Sequence, residues 1–146
     1  MAETTEFELV SPEKLLISQP AEMVVVPGTE GDFGALPRHA PMITGVRPGV
    51  IDVYENGKVE KRIFVAGGFA EVTNKRCTVL ADEAIRLAAI DRPAVETELA
   101  EAKARISALQ GAEAAAEKAQ LRAAERAQAV AQAKLDAISR GKAADH

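Results

Sequence analysis

Tryptophan is absent from this 146-residue chain, and with one tyrosine and four phenylalanines the aromatic share is 3%. So few rings leave no obvious platform for stacking a nucleobase or a sugar. The core must instead come from Val, Leu, Ile and Met. A single cysteine, Cys77, excludes an internal disulfide and the usual zinc patterns. Between Arg76 and Thr78-Val79-Leu80 it reads as a small buried strand residue. Away from the extreme C-terminus there is one histidine, His39. No second internal histidine completes a metal set or a triad, and no nucleophile in its usual setting lies near it. No apolar run approaches the ~20 residues that span a bilayer. The N-terminal MAETTEFE is acidic, unlike a signal peptide. The expectation is a cytosolic chain, with a peripheral place on a membrane complex left open. Cationic excess is missing too, since the net charge is −4. Residues 1–90 carry 9 basic and 13 acidic side chains and residues 91–146 carry 9 of each, so no basic footprint for nucleic acid exists.

What is present begins with the stretch from Val24 to Gly49, VVVPGTEGDFGALPRHAPMITGVRPG. Three β-formers run into Pro27-Gly28, Gly31 and Gly34 flank Asp32, and Pro37, Pro41 and Pro48 punctuate the rest. Glycine admits positive φ while proline locks φ and removes a donor, so the spacing predicts a defined loop. Phe33, Leu36 and Ile43 set it apart from a flexible linker. Neither G-x-G-x-x-G nor G-x-x-x-x-G-K-[ST] occurs, no lysine lies in the stretch, and Glu30 and Asp32 would repel a phosphate. Two readings remain: an ordered connection between strands, or an acidic contact surface. Glu30 and Asp32 are too isolated to make a catalytic pair without further support.

Up to about Ala81 the pattern is that of strands. Glu6–Leu9 alternates, Lys14–Ile17 follows a Ser11-Pro12 turn, and Ala21–Val26 is a short β-rich run. Val50–Tyr54 and Lys58–Val65 flank Asn56-Gly57, a strong signal for a type I′ hairpin turn. Phe69–Val72 and Arg76–Ala81 follow, separated by Asn74-Lys75. Gly67-Gly68 reads as a bulge or a close backbone approach. Many short strands at close spacing predict an antiparallel sandwich or barrel over residues 1–86.

From Asp91 the period becomes helical. Asp91 is placed to N-cap, Pro93 fits the first turn, and Glu96 and Glu98 oppose the dipole charge. Val95, Leu99, Ala102, Ile106 and Leu109 form one narrow seam, with Gly111 as the stop. A second helix is expected to about Arg140, with Gly141 beyond it and a frayed tail. Its seam is Leu121, Ala124, Ala131, Leu135 and Ile138, interrupted by Gln128. Eleven of the 22 residues from Ala112 to Ala133 are alanine, so the helices need little help while their seam buries little area. Residues 87–146 thus read as an antiparallel helical hairpin, permanently docked or able to separate. The fold class is α+β: a β-sandwich or barrel followed by a two-helix hairpin.

The string VPGTEGDFGALPRHAPMITGVRPGVIDV, together with FVAGGFAEV and TVLADEAIRLAAID, resembles the epsilon subunit of bacterial F-type ATP synthases, the counterpart of the mitochondrial delta subunit. The resemblance implies a non-catalytic central-stalk rotor subunit of a proton-translocating ATP synthase, one copy per complex, on the cytoplasmic face of the inner membrane. Its partners would be the gamma subunit and the c-ring, with the alpha/beta head reachable by the helices and the membrane touched only indirectly. The c-ring and gamma contact loop would comprise Glu30, Gly31 and Asp32, with Arg38 and His39 close in sequence.

In the family the hairpin also restrains ATP hydrolysis, and some members bind ATP through a motif resembling I/L-D-x-x-R-A. Here Ile90 and Asp91 match, but Ala94 and Val95 replace the Arg-Ala pair, and Ala123 and Val130 occupy the family's basic positions. No ATP binding and no other cofactor is expected. Arg122, Arg126, Lys134 and Arg140 are candidates for acidic surfaces of the head, although an equal supply of acids also describes a solvated face. The rival readings are an adaptor whose hairpin recruits a partner helix, and a small enzyme with a pocket around His39.

Overall fold

The computed structural model describes residues 3–144, with side chains through Arg140. The chain divides between Ala88 and Ala89 into two compact units. The first contains β1 (Thr5–Val10), β2 (Leu15–Ala21), β3 (Met23–Gly28), β4 (Gly31–Ala35), β5 (Met42–Val46), β6 (Gly49–Glu55), β7 (Lys58–Val65), β8 (Gly68–Val72), β9 (Arg76–Ala81) and β10 (Ala84–Arg86). The second contains α1 (Arg92–Leu109) and α2 (Ala115–Ala144).

Hydrogen bonding runs through the strands in the order β10-β7-β6-β3-β5-β8-β9-β1-β2, with β4 added to β3. Strand β3 is the corner. Its first half, Met23–Val25, pairs β6, and its last residue, Gly28, pairs Val46 of β5. The same strand therefore serves both layers of a sandwich. Pairing is antiparallel except between β1 and β9. Pro20, which has no amide hydrogen to donate, sits in β2 at one end of the path, where a missing donor is tolerated. That edge is tied back by side chains: Lys61 Nζ donates to Gln19 Oε1, and Gln19 Nε2 donates to Glu55 Oε1 at 3.4 Å.

Inward residues alternate along β1 (Phe7, Leu9), β3 (Val24, Val26), β6 (Ile51, Val53), β8 (Ala70, Val72) and β9 (Cys77, Val79), and these are essentially inaccessible. The core is aliphatic as the composition requires, although the two bulkiest fully buried side chains are Phe7 and Phe64. The expected Asn-Gly turn is present, with φ of 54° at Asn56 and 73° at Gly57. Two strands fall within the stretch read as a loop: Gly31–Ala35 is β4, and Met42–Val46 is β5. Glycine and proline conceal them: Gly31 and Gly34 argue against strand within β4, and β5 is held by pairing with β8, far away in sequence. The Ala21–Val26 run is also two strands, broken at Glu22.

In the second unit, α1 and α2 are antiparallel, joined through Gln110–Ala114 with Gly111 at φ 77°. Asp91 holds the N-cap position with extended backbone, but its side chain makes no capping hydrogen bond. Nor does the first turn hold an acidic residue. Glu96 stands one turn from Arg92 (3.9 Å) and Glu98 faces Lys134 (3.8 Å), so these carboxylates answer nearby cations rather than the helix end. Helix α2 does not stop at Gly141 but continues to Ala144; residues 145 and 146 of the expected frayed tail lie outside the described residues. Glycine lowers helix propensity without forbidding a helix already nucleated by an alanine-rich stretch.

Candidate functional site

The β3–β4 hairpin turns through Thr29-Glu30, with Gly28 opposite Gly31. Two glycines make this turn possible. Gly31 has φ 133°, and a Cβ on Gly28 would lie 2.7 Å from the Gly31 carbonyl oxygen. The tip is then fixed from the side by the β5–β6 connection. The Thr29 amide donates to the Gly45 carbonyl and the Arg47 amide donates to the Pro27 carbonyl, each at 2.9 Å. Neighbouring glycines leave room for this approach: a Cβ on Gly45 would lie 2.9 Å from Thr29 Cγ2, and one on Gly49 2.9 Å from Pro27 Cβ. The guanidinium of Arg47 forks, donating to the Gly28 carbonyl and to Asp32 Oδ1. Thr29, Glu30, Gly31 and Asp32 are exposed. Glu30 makes no ion pair or side-chain hydrogen bond among the described residues.

Of the five residues expected at the contact loop, three meet here and two do not. Arg38 and His39 follow the far end of β4, beyond Ala35, where Arg38 is tied to the β8–β9 turn. The Arg38 amide donates to the Asn74 carbonyl at 2.9 Å, and its guanidinium pairs with Glu3. Arg38 takes φ 68°. The His39 amide donates to the Leu36 carbonyl at 3.1 Å, and Nδ1 lies 2.6 Å from the Ala40 carbonyl oxygen, where it donates in the corresponding tautomer. Thr29, Gly45 and Arg47 are site residues that sequence reasoning missed. Arg47 is 15 residues from Asp32, and only the register of β5 on β3 reveals the pair. The run Arg47-Pro48-Gly49, a cation just before a turn, was the available hint.

A second surface lies on the outward face of β5, β8 and β9. Ile43, Phe69 and Leu80 are 74%, 63% and 52% exposed. Phe69 is opposite Leu80, which in turn is opposite Val10 of β1. Alternation puts these side chains on one face, where Phe69, Leu80 and Val10 form an apolar row and Ile43 stands opposite Glu71.

Within the hairpin unit, the closest-packed positions are Val95 and Ala102 on α1 and Ala124, Ala131, Lys134 and Ala137 on α2. Leu99, Ile106, Leu109, Leu121, Leu135 and Ile138 are half-buried. Lys134, expected at the surface with Arg122, Arg126 and Arg140, is only 7% exposed; the three arginines are exposed. Arg92 donates to Ser139 Oγ at 3.3 Å, while Ala94 and Ala123 are exposed. No described helix is long and apolar enough to cross a membrane.

Residues 4–87 match the family model described as ATP synthase, Delta/Epsilon chain, beta-sandwich domain. The ATP synthase epsilon chain of Rhodospirillum rubrum is 66% identical over 120 residues, 82% of this chain and 87% of that one. The epsilon chain of Rhodospirillum centenum is 53% identical over 150 residues, 99% of each chain. Among solved structures, a chain of the Euglena gracilis mitochondrial ATP synthase (OSCP/F1/c-ring) aligns with a TM-score of 0.72 at 25% identity, over 98% of this chain and 82% of that one. A chain of the Tetrahymena thermophila mitochondrial ATP synthase central stalk/c-ring shares the fold, with a TM-score of 0.59 at 14% identity, over 93% and 97% of the two chains. By sandwich, hairpin and sequence alike, the chain belongs to the delta/epsilon chain family of the ATP synthases, among the epsilon chains.

Proposed function

We propose that this chain is the non-catalytic rotor subunit of a proton-translocating ATP synthase, coupling the gamma subunit to the c-ring at the foot of the central stalk. One observation carries the reading: a β-hairpin tip braced by the neighbouring strand connection, with Glu30 exposed at its apex and making no ion pair among the described residues. Torque transmission needs a stiff body and a fixed polar surface. A closed aliphatic sandwich provides the first and the acidic tip the second, against basic or amide groups of the ring loops. The apolar row of Val10, Phe69 and Leu80 offers an independent surface for gamma.

The chain would then sit peripherally on the cytoplasmic face of the inner membrane, held there by its partners. Arg38 and His39, at the other end of β4, belong to a separate part of the contact surface. The hairpin is the candidate regulatory element, because stable helices joined along an alanine seam have a weak mutual hold. ATP is not its ligand in this reading, since Ala94, Ala123 and Val130 supply no cation for phosphate. Isothermal titration with Mg-ATP checks that point, and a micromolar signal would contradict it. Removal of residues 91–146, followed by ATPase assay of the assembled enzyme, tests regulation: unchanged rates leave the hairpin without that role.

The central test is the Glu30→Ala/Asp32→Ala double variant in the assembled enzyme. ATP hydrolysis should persist while ATP-driven proton pumping falls. Pumping equal to that of the unaltered enzyme removes the contact assignment. Co-purification with gamma and the c-ring separates a rotor subunit from an adaptor for an unrelated helix.

A further inference from the structure

We infer that Arg47 is a positioning residue for the contact tip, and that the two acidic residues there have different tasks. Asp32 is an internal strut held by Arg47, and Glu30 is the carboxylate that meets the partner. This rests on the coupling role proposed above. The Arg47 guanidinium joins two points of the hairpin, the Gly28 carbonyl before the turn and the Asp32 carboxylate after it. Its own backbone is fixed to the same strand through Pro27. A planar fork of this kind specifies geometry as well as charge, which a lysine ammonium does not reproduce. Asp32 therefore spends its charge inside the chain. Glu30, one residue before the left-handed Gly31, is exposed with no partner among the described residues. A tip that must transmit force without bending needs the strut as much as the contact.

Five variants of the full chain, assembled into the enzyme in membrane vesicles, test the assignment: Arg47→Met, Arg47→Lys, Asp32→Asn, Glu30→Gln, and Arg47→Met combined with Asp32→Asn. Two quantities are read. One is proton pumping per ATP hydrolysed, and the other is amide hydrogen exchange over Glu30–Phe33 in the isolated full-length chain. Arg47→Met and Asp32→Asn should each speed tip exchange by about tenfold, the scale of one lost charge-assisted hydrogen bond, and both should lower pumping. Combining them should be no worse than Arg47→Met alone, because Asp32→Asn weakens one of the two interactions that Arg47→Met already removes. Arg47→Lys should fall between the unaltered chain and Arg47→Met. Glu30→Gln should lower pumping and leave exchange unchanged.

Unchanged exchange in Arg47→Met overturns the strut, and pumping lost in Asp32→Asn with exchange unchanged would make Asp32 itself the contact. If exchange responds as expected while pumping is unaltered in every variant, Glu30→Gln included, the strut stands as structure, and the coupling reading falls together with the positioning role of Arg47.

Discussion

The carbonyl oxygen of Leu80 occupies the space that a side chain on Gly68 would need: a Cβ there would lie 1.9 Å from it. This close approach holds the start of β8 against the end of β9, where Gly68 pairs Ala81. Gly68 also has φ 139°, so a side chain meets both collision and strain. Gly68→Ala should destabilise the sandwich by about 3–5 kcal/mol, combining left-handed strain with overpacking against backbone. Denaturant unfolding followed by far-UV circular dichroism measures it, and a loss below about 1 kcal/mol, the ordinary scale for a single substitution, contradicts the geometry.

The buried Lys134 faces Glu98 at 3.8 Å, and Glu98 remains half exposed. Burying the ammonium carries a desolvation cost, and a carboxylate that stays largely in water is not stranded when its partner is removed. Lys134→Met should therefore hold the hairpin more tightly, seen as slower amide exchange along α1 and α2. Faster exchange would show that the ion pair, rather than the alanine seam, holds the helices together.

Burial pushes the Cys77 thiol up to about 12 from an ordinary 9.0. The folded state thus favours the protonated thiol. Its contribution to stability is complete below pH 9 and declines as pH rises from there toward about 12, with a slope near 1.4 kcal/mol per unit. Cys77→Ala should lack this alkaline slope. In the unaltered chain, thiol reagents at neutral pH should label only denatured protein. Native labelling contradicts the burial.

A hydrogen bond with Glu60 raises the Glu55 carboxyl above its usual range, aided by desolvation and by the charge of the same neighbour. Side-chain NMR titration should find Glu55 protonating at higher pH than an ordinary glutamate, and Glu60→Gln should return it toward 4.5. A midpoint unchanged by that substitution assigns the shift to another cause.

The β6–β7 hairpin was readable from Asn56-Gly57 because the demand for positive φ at two adjacent residues is local and few residues meet it. The alanine-rich helices were readable for the same reason, since propensity accumulates residue by residue. Strands β4 and β5 were not, because Gly31, Gly34 and Pro41 argue against strand locally and only pairing with β3 and β8 overrides them. The geometry of the acidic corner was half legible. Glu30 and Asp32 announce a charged corner, but nothing in the spacing couples Asp32 to Arg47 or sends Arg38 and His39 to the other end of β4.

By itself, then, the order of residues determined the division into a strand half and a helix half, the aliphatic core and the presence of an acidic corner. Each follows from composition or from interactions spanning a few positions. Tertiary structure decided which carboxylate is committed and which is available, which lysine is buried, and that β3 serves both layers. Those outcomes depend on strand register and helix facing, which join residues distant in the chain and are settled only when the packed whole finds its lowest free energy.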